Sequence, residues 1–300
     1  MVTLYNRQFD HKLVTHSINL KGRLLNLDTP QIMGILNVTP DSFFVGSRVQ
    51  SLEDVLHRAQ KMIEEGATFL DIGGYSTRPG AAEITVDEEI SRVVPVIEAL
   101  QLRFPETYLS IDTFRAKVAR LAVEAGASMV NDIAGGNLDE AMFSTVAELG
   151  VPYVLMHSRG NPQTMSHLTE YKNLTQNVIE ELLPKVAQLR QVGVKDIILD
   201  PGLGFAKTRA QNFQLLAELS AFEVFNLPLL VGVSRKSMIW KTLGIRPEEA
   251  LNGTTMLNTI ALQQGAAILR VHDVKEALQT IQLWQCLKPY STSVSTGHLL

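Results

Sequence analysis

One short pattern recurs through the chain and constrains its fold more than any other feature. The pattern begins with a helix end that contains a glycine, continues with an apolar strand and ends with a polar residue. It occurs in residues 64–74, 124–136, 148–158, 191–202 and 263–273. Each glycine can take the left-handed backbone conformation that ends a helix. The strands are apolar at consecutive positions, which is typical of parallel strands covered on both faces. The repeat therefore predicts strands and helices that alternate around a parallel sheet.

Three more apolar strands, at residues 31–38, 108–113 and 227–234, complete a set of eight. The clearest amphipathic helix between strands is 51–65, for which Ser51 is the predicted N-cap and Gly66 the end. The helix after the seventh strand is predicted to be irregular around Gly244 and Pro247. Eight units in 300 residues favour a single α/β domain, a (β/α)8 or TIM barrel. An open doubly wound sheet is the alternative.

The predicted domain organisation has three parts: an N-terminal extension at 1–29, the barrel at 30–286 and a C-terminal tail at 287–300. In the extension, two alternating runs on either side of Lys21 and Gly22 predict a β-hairpin. We expect this hairpin to cover the bottom of the barrel.

Charge and composition exclude several classes of function. The net charge is -4 and there is no long basic run, which argues against nucleic acid or an anionic membrane as partner. The single cysteine excludes an internal disulfide and a cysteine zinc cluster. Neither a signal peptide nor a membrane span is predicted, so we expect a cytoplasmic protein. Nucleophile-elbow, HExxH and dinucleotide motifs are missing, which favours chemistry by binding and polarising substrates.

Polar residues end every predicted strand. They are Asn37, Asp71, Asp112, Asn131 with Asp132, His157, Asp200, Ser234, and Arg270 with His272. Because the active sites of such barrels lie at the carboxyl ends of the strands, we expect these side chains on one face. For Asp71 and Asp112, capping of the next helix is an equally open interpretation. His157 is interpreted as a histidine at the edge of the core with a backbone partner.

Some of these strand-end residues, taken together with Lys236 and Arg78, form two groups that suggest two kinds of ligand. Asp112, Asn131, Asp200 and Lys236 supply acceptors, an amide and a cation. That set suits a planar heterocycle with amino and carbonyl groups. Asn37, Arg78, Arg270 and His272 suit an anion and the hard metal ion that a diphosphate brings with it. Lys236 is predicted at a helix start, where the helix dipole repels a cation unless an anion or ligand is near.

Seven motifs occur in order from about residue 30 to 275: MGILNVTPDSF (33–43), GGYSTRPGA (73–81), SIDT (110–113), VNDIAGG (130–136), LDPGLGFAKT (199–208), GVSRKS (232–237) and LRVHDV (269–274). Together they are similar to the motif series of the dihydropteroate synthases. The resemblance implies a (β/α)8 transferase of folate biosynthesis. Such an enzyme condenses 6-hydroxymethyl-7,8-dihydropterin diphosphate with para-aminobenzoate, releases diphosphate and makes 7,8-dihydropteroate.

The resemblance also implies roles for individual residues. Pterin binding falls on Asp112, Asn131, Met156, Asp200, Gly204, Phe205 and Lys236, of which Asp112, Asn131, Asp200 and Lys236 are also implied as catalytic. Diphosphate binding falls on Asn37, Thr77, Arg78, Arg270 and His272, with Asn37 as ligand of the Mg²⁺ cofactor. Aminobenzoate binding falls on Phe43, Thr77, Arg78, Pro79, Phe205, Ser234 and Lys236. The resemblance further implies a dissociative, SN1-like substitution, loops 38–50 and 74–84 that close over the site, sulfonamides as competitive inhibitors and a homodimer.

Two loop positions depart from the family pattern. Val45 replaces the usual second acid of the first loop, although Asp41 remains, and Tyr75 replaces a common glutamate of the second loop. These changes put the aminobenzoate side of the site in question. They leave open a pterin-binding paralogue without catalysis. A second alternative is a folate-dependent methyltransferase of the same fold, against which the motifs NVTPDSF and STRPG argue.

Overall fold

The computed structural model describes residues 16–38, 48–75, 83–161 and 163–291, and only the backbone of 48–51 and 291. Strands in this part are β1 Ser17–Leu20, β2 Arg23–Asn26, β3 Gln31–Asn37, β4 Phe69–Gly73, β5 Tyr108–Asp112, β6 Met129–Asp132, β7 Tyr153–Met156, β8 Ile197–Asp200, β9 Leu229–Val231 and β10 Ala266–Val271. Helices are α1 Arg48–Glu64, α2 Val86–Arg103, α3 Ala116–Ala125, α4 Met142–Leu149, α5 Leu174–Gln191, α6 Arg209–Ala217, α7 Ser237–Leu243, α8 Leu251–Gln263 and α9 Val274–Ser291. Among these described helices, none has both the length and the hydropathy of a membrane span.

The eight strands from β3 to β10 form a closed, parallel barrel in chain order, and β10 pairs with β3 to complete it. The predicted TIM barrel is confirmed, and the open-sheet alternative is wrong. The glycines that end the helices have the predicted conformation, because Gly66, Gly126, Gly150, Gly193 and Gly265 all have φ between +63° and +135°. Any other residue would be strained there.

The N-terminal hairpin closes the amino end of the barrel, as predicted. β1 and β2 pair in antiparallel fashion around Lys21 and Gly22. Ile18, Leu20 and Leu27 form one buried cluster with inward-facing residues of the barrel: Met33, Phe69, Met129, Val154, Ile198, Leu230 and Ile268. The hairpin therefore covers the apolar interior at the amino end of the barrel, and the polar residues lie at the other end.

Truncating a hairpin side chain tests this packing. Leu20 is 1% exposed, so we expect Leu20→Ala to lower the free energy of unfolding by about 2–4 kcal/mol through lost burial and a cavity. Leu24 of the same hairpin is 75% exposed, and Leu24→Ala is expected to change it by less than about 0.5 kcal/mol. Urea unfolding of the two variants checks the prediction, and equal effects would contradict it.

The helices differ from the sequence prediction at some boundaries. Helix α1 begins at Arg48, so Ser51 lies inside the helix and the predicted cap at Ser51 is wrong. The predicted interruption near Gly244 is confirmed, since α7 ends there and a 3-10 turn at Pro247–Glu249 precedes α8. Helix α9 extends to Ser291, beyond the predicted domain end at 286.

Candidate active site

Strand register brings the polar strand ends to one level. Asn37 is the register partner of Gly73, Gly73 of Asp112, and Asp112 of Asn131. On the other side of the barrel, Met156 is the partner of Asp200. Because side chains alternate along a strand, residues at one level that face inward meet at the mouth of the barrel.

Arg270 joins two carboxylates across the centre of this mouth. Its Nε donates to Asp71 Oδ2 at 2.7 Å and its terminal nitrogen donates to Asp112 Oδ2 at 2.6 Å. Asn131 Nδ2 donates to the same Asp71 oxygen at 2.9 Å. Asp71 is fully buried, and its Oδ1 has no hydrogen-bond partner.

The helix-cap interpretation of Asp71 and Asp112 is wrong. The cap of α2 is Thr85, whose hydroxyl accepts from the Glu88 amide at 3.1 Å. The N-cap position of α3 is Arg115. Both aspartates instead hold Arg270 inside the barrel, where they form part of the candidate site.

Asp200 and Lys236 are two further charged groups of the mouth, and each acts on the other's pKa. Asp200 is 6% exposed, and its Oδ1 accepts from the Gly202 amide at 2.7 Å. Lys236 Nζ donates to the Leu203 carbonyl and lies 4.9 Å from the centre of the Phe205 ring. A methyl group at Gly204 would lie 3.0 Å from Lys236 Cδ, so a glycine here gives the lysine stem room.

Burial and opposite charges act against each other in this cluster. Burial raises the pKa of Asp112 and of Asp200, while Arg270 opposes the shift of Asp112 and Lys236 opposes that of Asp200. Burial lowers the pKa of Lys236 to about 8, against the pull of Asp200. For Arg270, burial is outweighed by Asp71 and Asp112, so its pKa rises. The mouth thus holds carboxylates that can accept from N–H donors of a planar ligand.

Ser234 and His272 lie together at the edge of the mouth. Ser234 Oγ lies 3.0 Å from His272 Nδ1 and accepts from the His272 amide at 3.1 Å. Between Ser234 and Lys236, Arg235 has a positive φ of 53° and pairs with Asp273 at 2.5 and 2.9 Å. The Arg235–Asp273 pair, which sequence reasoning missed, ties the loop after β9 to the loop after β10.

Several predicted residues lie outside the described residues. They are Phe43, Thr77, Arg78 and Pro79, together with Asp41 and Val45. Tyr75, the departure in the second loop, is described: its ring lies 5.2 Å from that of Phe114 and 5.4 Å from the Arg115 guanidinium. Arg115 also pairs with the buried Glu89 at 2.8 Å. Tyr75 therefore packs on the start of α3.

His157 is 2% exposed, but its partners are side chains, so the predicted backbone partner is wrong. Its Nδ1 lies 3.0 Å from Lys207 Nζ and its Nε2 lies 3.0 Å from Glu181 Oε2. Burial lowers the pKa of His157 to about 4. Burial alone would raise the pKa of Glu181, but hydrogen bonds from His157 and Arg159 outweigh it and lower this pKa to about 2.

The low pKa of His157 makes the contribution of this residue to stability sensitive to acid. The unfolded chain protonates this histidine near its ordinary pKa of about 6.5, whereas the folded chain does so only near 4. The contribution of His157 is therefore lost as pH falls through that window, by about 3 kcal/mol at 1.36 kcal/mol per pKa unit. Below about pH 4.5, protonation of Glu181 adds to the loss.

The variant His157→Gln is expected to lose most of this pH dependence above about pH 4.5. The measurement is urea unfolding at about pH 7 and about pH 5 for wild type and variant. The matched control is His167→Gln, because His167 is exposed and should leave the wild-type pH dependence unchanged. Parallel curves for wild type and His157→Gln would contradict the prediction.

A cavity lies beside this cluster. It has a volume of about 690 Å³ and lies between the loop after β7 and helix α5, with Arg159, Glu181 and Lys185 among its lining residues. Asp112, Asn131 and Asp200 do not line it. The candidate site therefore rests on the convergence of polar side chains at the strand ends.

Comparisons with known proteins agree with this geometry. Residues 33–272 match the family model described as "Pterin binding enzyme". The chain is 46% identical to the dihydropteroate synthase of Escherichia coli over 265 residues. The aligned region covers 88% of this chain and 93% of that protein. The chain belongs to the pterin-binding enzyme family.

Solved structures narrow the assignment within the family. The Yersinia pestis dihydropteroate synthase, solved as a complex with a sulfonamide drug, has a TM-score of 0.85 and 42% identity, covering 91% of this chain and 100% of that one. The Xanthomonas albilineans dihydropteroate synthase with 4-aminobenzoic acid has a TM-score of 0.85 and 39% identity, covering 91% and 98%. The same enzyme has also been solved with 7,8-dihydropteroate. The chain is thus a transferase of the dihydropteroate synthase group.

Proposed function

We propose that this enzyme condenses 6-hydroxymethyl-7,8-dihydropterin diphosphate with para-aminobenzoate to form 7,8-dihydropteroate and diphosphate. The observation that carries the proposal is the group formed by the buried Asp200 and Asn131 with the partly buried Asp112 at the barrel mouth. Support for the two substrates comes from relatives solved with 4-aminobenzoic acid and with 7,8-dihydropteroate. We extend the proposal to a cytoplasmic homodimer that sulfonamides inhibit.

On this proposal the pterin lies in the mouth, with its N–H groups toward Asp112 and Asp200 and its ring edge against Asn131 and Met156. Diphosphate departs first, so positive charge develops on the exocyclic methylene carbon. The carboxylates stabilise that charge through the ring N–H groups, because fixed charges in a buried site need no reorganisation. The amine of para-aminobenzoate then attacks the same carbon, and one of its protons is released.

In the proposal, the basic residues of the site bind the leaving diphosphate and the aminobenzoate. Arg270 pairs with Asp71 and Asp112 at the mouth. In the proposal, Arg270 and His272 stabilise the leaving diphosphate. Ser234, Lys236 and Phe205 line the aminobenzoate side, and Gly204 leaves room for Lys236. Phe43, Thr77, Arg78 and Pro79 complete the anion and aminobenzoate contacts in the proposal.

A magnesium ion fits the residues at one edge of the mouth. Asn37 Oδ1 would lie 3.5 Å from a methyl group at Gly73, so the glycine leaves space beside this oxygen. The described residues contain no group of three or more acidic, histidine or cysteine ligands. That agrees with Mg²⁺, which is usually held by few protein oxygens together with water and substrate phosphates. Asn37 would hold the ion, which supplies charge neutralisation for the diphosphate.

The test is diphosphate release from the pterin diphosphate with Mg²⁺, measured with and without para-aminobenzoate. Release that depends on aminobenzoate and gives a pterin–aminobenzoate conjugate supports the proposal. Pterin binding without conjugate would overturn it and favour a pterin-binding paralogue without this catalysis. Methyl transfer from a methylated folate to a cobalamin protein, without conjugate, would favour the methyltransferase alternative.

A further inference from the structure

A buried lysine lies next to the candidate site. Lys207 is 8% exposed, and its Nζ lies 3.0 Å from the Gly202 carbonyl, 3.1 Å from the Phe205 carbonyl and 3.0 Å from His157 Nδ1. An ammonium has three donors, and these three acceptors use them all. None of the ion pairs between described residues includes Lys207. Burying a lysine without a carboxylate in contact is costly, and burial lowers the pKa of Lys207 to about 7 against the attraction of Asp200. The three hydrogen bonds offset part of that cost.

The segment that Lys207 holds is the loop 201–206, which follows Asp200. Gly202 and Ala206 both have a positive φ, of 72° and 49°, and a methyl group at Gly202 would lie 1.9 Å from the His157 carbonyl. Such a backbone is unfavourable for alanine and persists only where its surroundings hold it. Lys207 donates to two carbonyls of this loop, those of Gly202 and Phe205.

Other groups of the same loop make contacts in the candidate site. The Leu203 carbonyl accepts from Lys236, and the Phe205 ring lies under the Lys236 ammonium. The amide of Gly202 donates to Asp200. A shift of the loop would therefore move the groups that contact Asp200 and Lys236 together.

His157 links Lys207 to a chain of contacts that returns to the loop. Because Lys207 donates to Nδ1, the histidine proton lies on Nε2 and is donated to Glu181. Glu181 also pairs with Arg159, whose guanidinium lies 3.8 Å over the Tyr171 ring. The Tyr171 hydroxyl donates to the Ala206 carbonyl at 2.9 Å. We call the residues Lys207, His157, Glu181, Arg159 and Tyr171 the brace.

Charge gives Lys207 a second effect on the site. Three basic residues act on the charge of Asp200: Lys236, Arg270 and Lys207. Each of them lowers the pKa of Asp200 against the larger effect of burial, and the Gly202 amide acts in the same direction. Removing Lys207 would therefore make Asp200 easier to protonate.

We propose that Lys207 is a positioning residue of this enzyme, which through the brace holds loop 201–206 in the conformation that the pterin site requires. The inference rests on the proposed function and adds a residue that does not itself contact the substrate. Its role is to fix the backbone beneath Lys236 and Phe205 and to keep Asp200 ionised.

The test compares Lys207→Met with the wild type and with Lys195→Met, an exposed lysine at the other end of β8. The dissociation constant of 6-hydroxymethyl-7,8-dihydropterin is measured by calorimetry, and kcat and KM for both substrates by conjugate formation. We expect Lys207→Met to weaken pterin binding and to lower kcat/KM for the pterin diphosphate by at least about 30-fold. The acid limb of its pH profile should move to higher pH. Lys195→Met should match the wild type.

A milder variant tests the same inference with a smaller risk that the protein fails to fold. Tyr171→Phe removes only the hydrogen bond to the Ala206 carbonyl, and we expect a change of about 3–10-fold in the same direction. Thermal melts give the folded fraction of each variant. Effects that vanish after correction for folded protein, or an acid limb that does not move, would overturn the inference. If the wild type binds pterin without forming conjugate, the proposed function fails and the dissociation constants alone decide the inference. If it binds no pterin, both fail.

Discussion

Replacing Asp200 with asparagine is expected to lower kcat by about 10²–10³-fold, or roughly 3–4 kcal/mol of barrier. The change keeps the shape of the side chain, so the oxygen that accepts from the Gly202 amide can remain. What is lost is the negative charge of a residue that is 6% exposed. In the proposed dissociative step, positive charge develops on the bound pterin, and a buried carboxylate stabilises the transition state more than the ground state.

The measurement is single-turnover conjugate formation, which separates the chemical step from binding. The matched control is Asp196→Asn, because Asp196 lies just before the opposite end of the same strand, where it accepts from the Asn19 amide at 3.3 Å. That variant should keep the wild-type rate. An Asp200→Asn enzyme with nearly normal kcat would remove the carboxylate from the proposed mechanism. A loss confined to KM would assign Asp200 to binding alone.

The sequence was sufficient to predict the barrel because its signals are local. A glycine after each helix and a polar residue after each apolar strand are properties of a few neighbouring residues. Gly66 and Gly126, for example, have the left-handed conformation that their position predicts. The helix start at Ser51 failed for a related reason. A serine that resembles a cap does not end a helix when the residues before it also fit one.

The interactions inside the site could not be predicted in the same way. Asp71 and Arg270 are 199 residues apart, and their contact exists only because β10 pairs with β3 and closes the barrel. The same holds for Lys207 and His157, which are 50 residues apart. The sequence shows Lys207 after a glycine-rich turn, but the direction of the Lys207 side chain depends on the conformation of that turn. Alignment of strand ends thus predicts which residues meet, and the closed barrel decides which of them pair.

Removing the guanidinium of Arg270 is expected to have the largest effect on stability. Its side chain is 19% exposed and pairs with Asp71 and Asp112, whose side chains are 0% and 15% exposed. Arg270→Met would leave both carboxylates buried without a cation in contact. We expect the free energy of unfolding to fall by about 3–5 kcal/mol, the usual cost of leaving a buried charge unpaired.

The pH dependence and a second substitution distinguish this cause from lost packing. Without Arg270, burial raises the folded-state pKa of Asp112 without opposition from this cation, so the penalty is full above that pKa and shrinks as pH falls toward the unfolded value. The variant should therefore regain stability relative to wild type on mild acidification. Asp71→Asn in the same chain should recover part of the loss, because one unpaired charge disappears.

Urea unfolding of the single and double variants at two pH values gives these energies. The control is Arg246→Met, since the side chain of Arg246 is 77% exposed and its pair with Glu249 lies on the surface. That substitution should cost less than about 1 kcal/mol. If Arg270→Met proved as mild as Arg246→Met, the carboxylates would not depend on Arg270 for their charge. The arginine would then be free to move toward a diphosphate at little cost to the fold, and its place in the mechanism would be the leaving group alone.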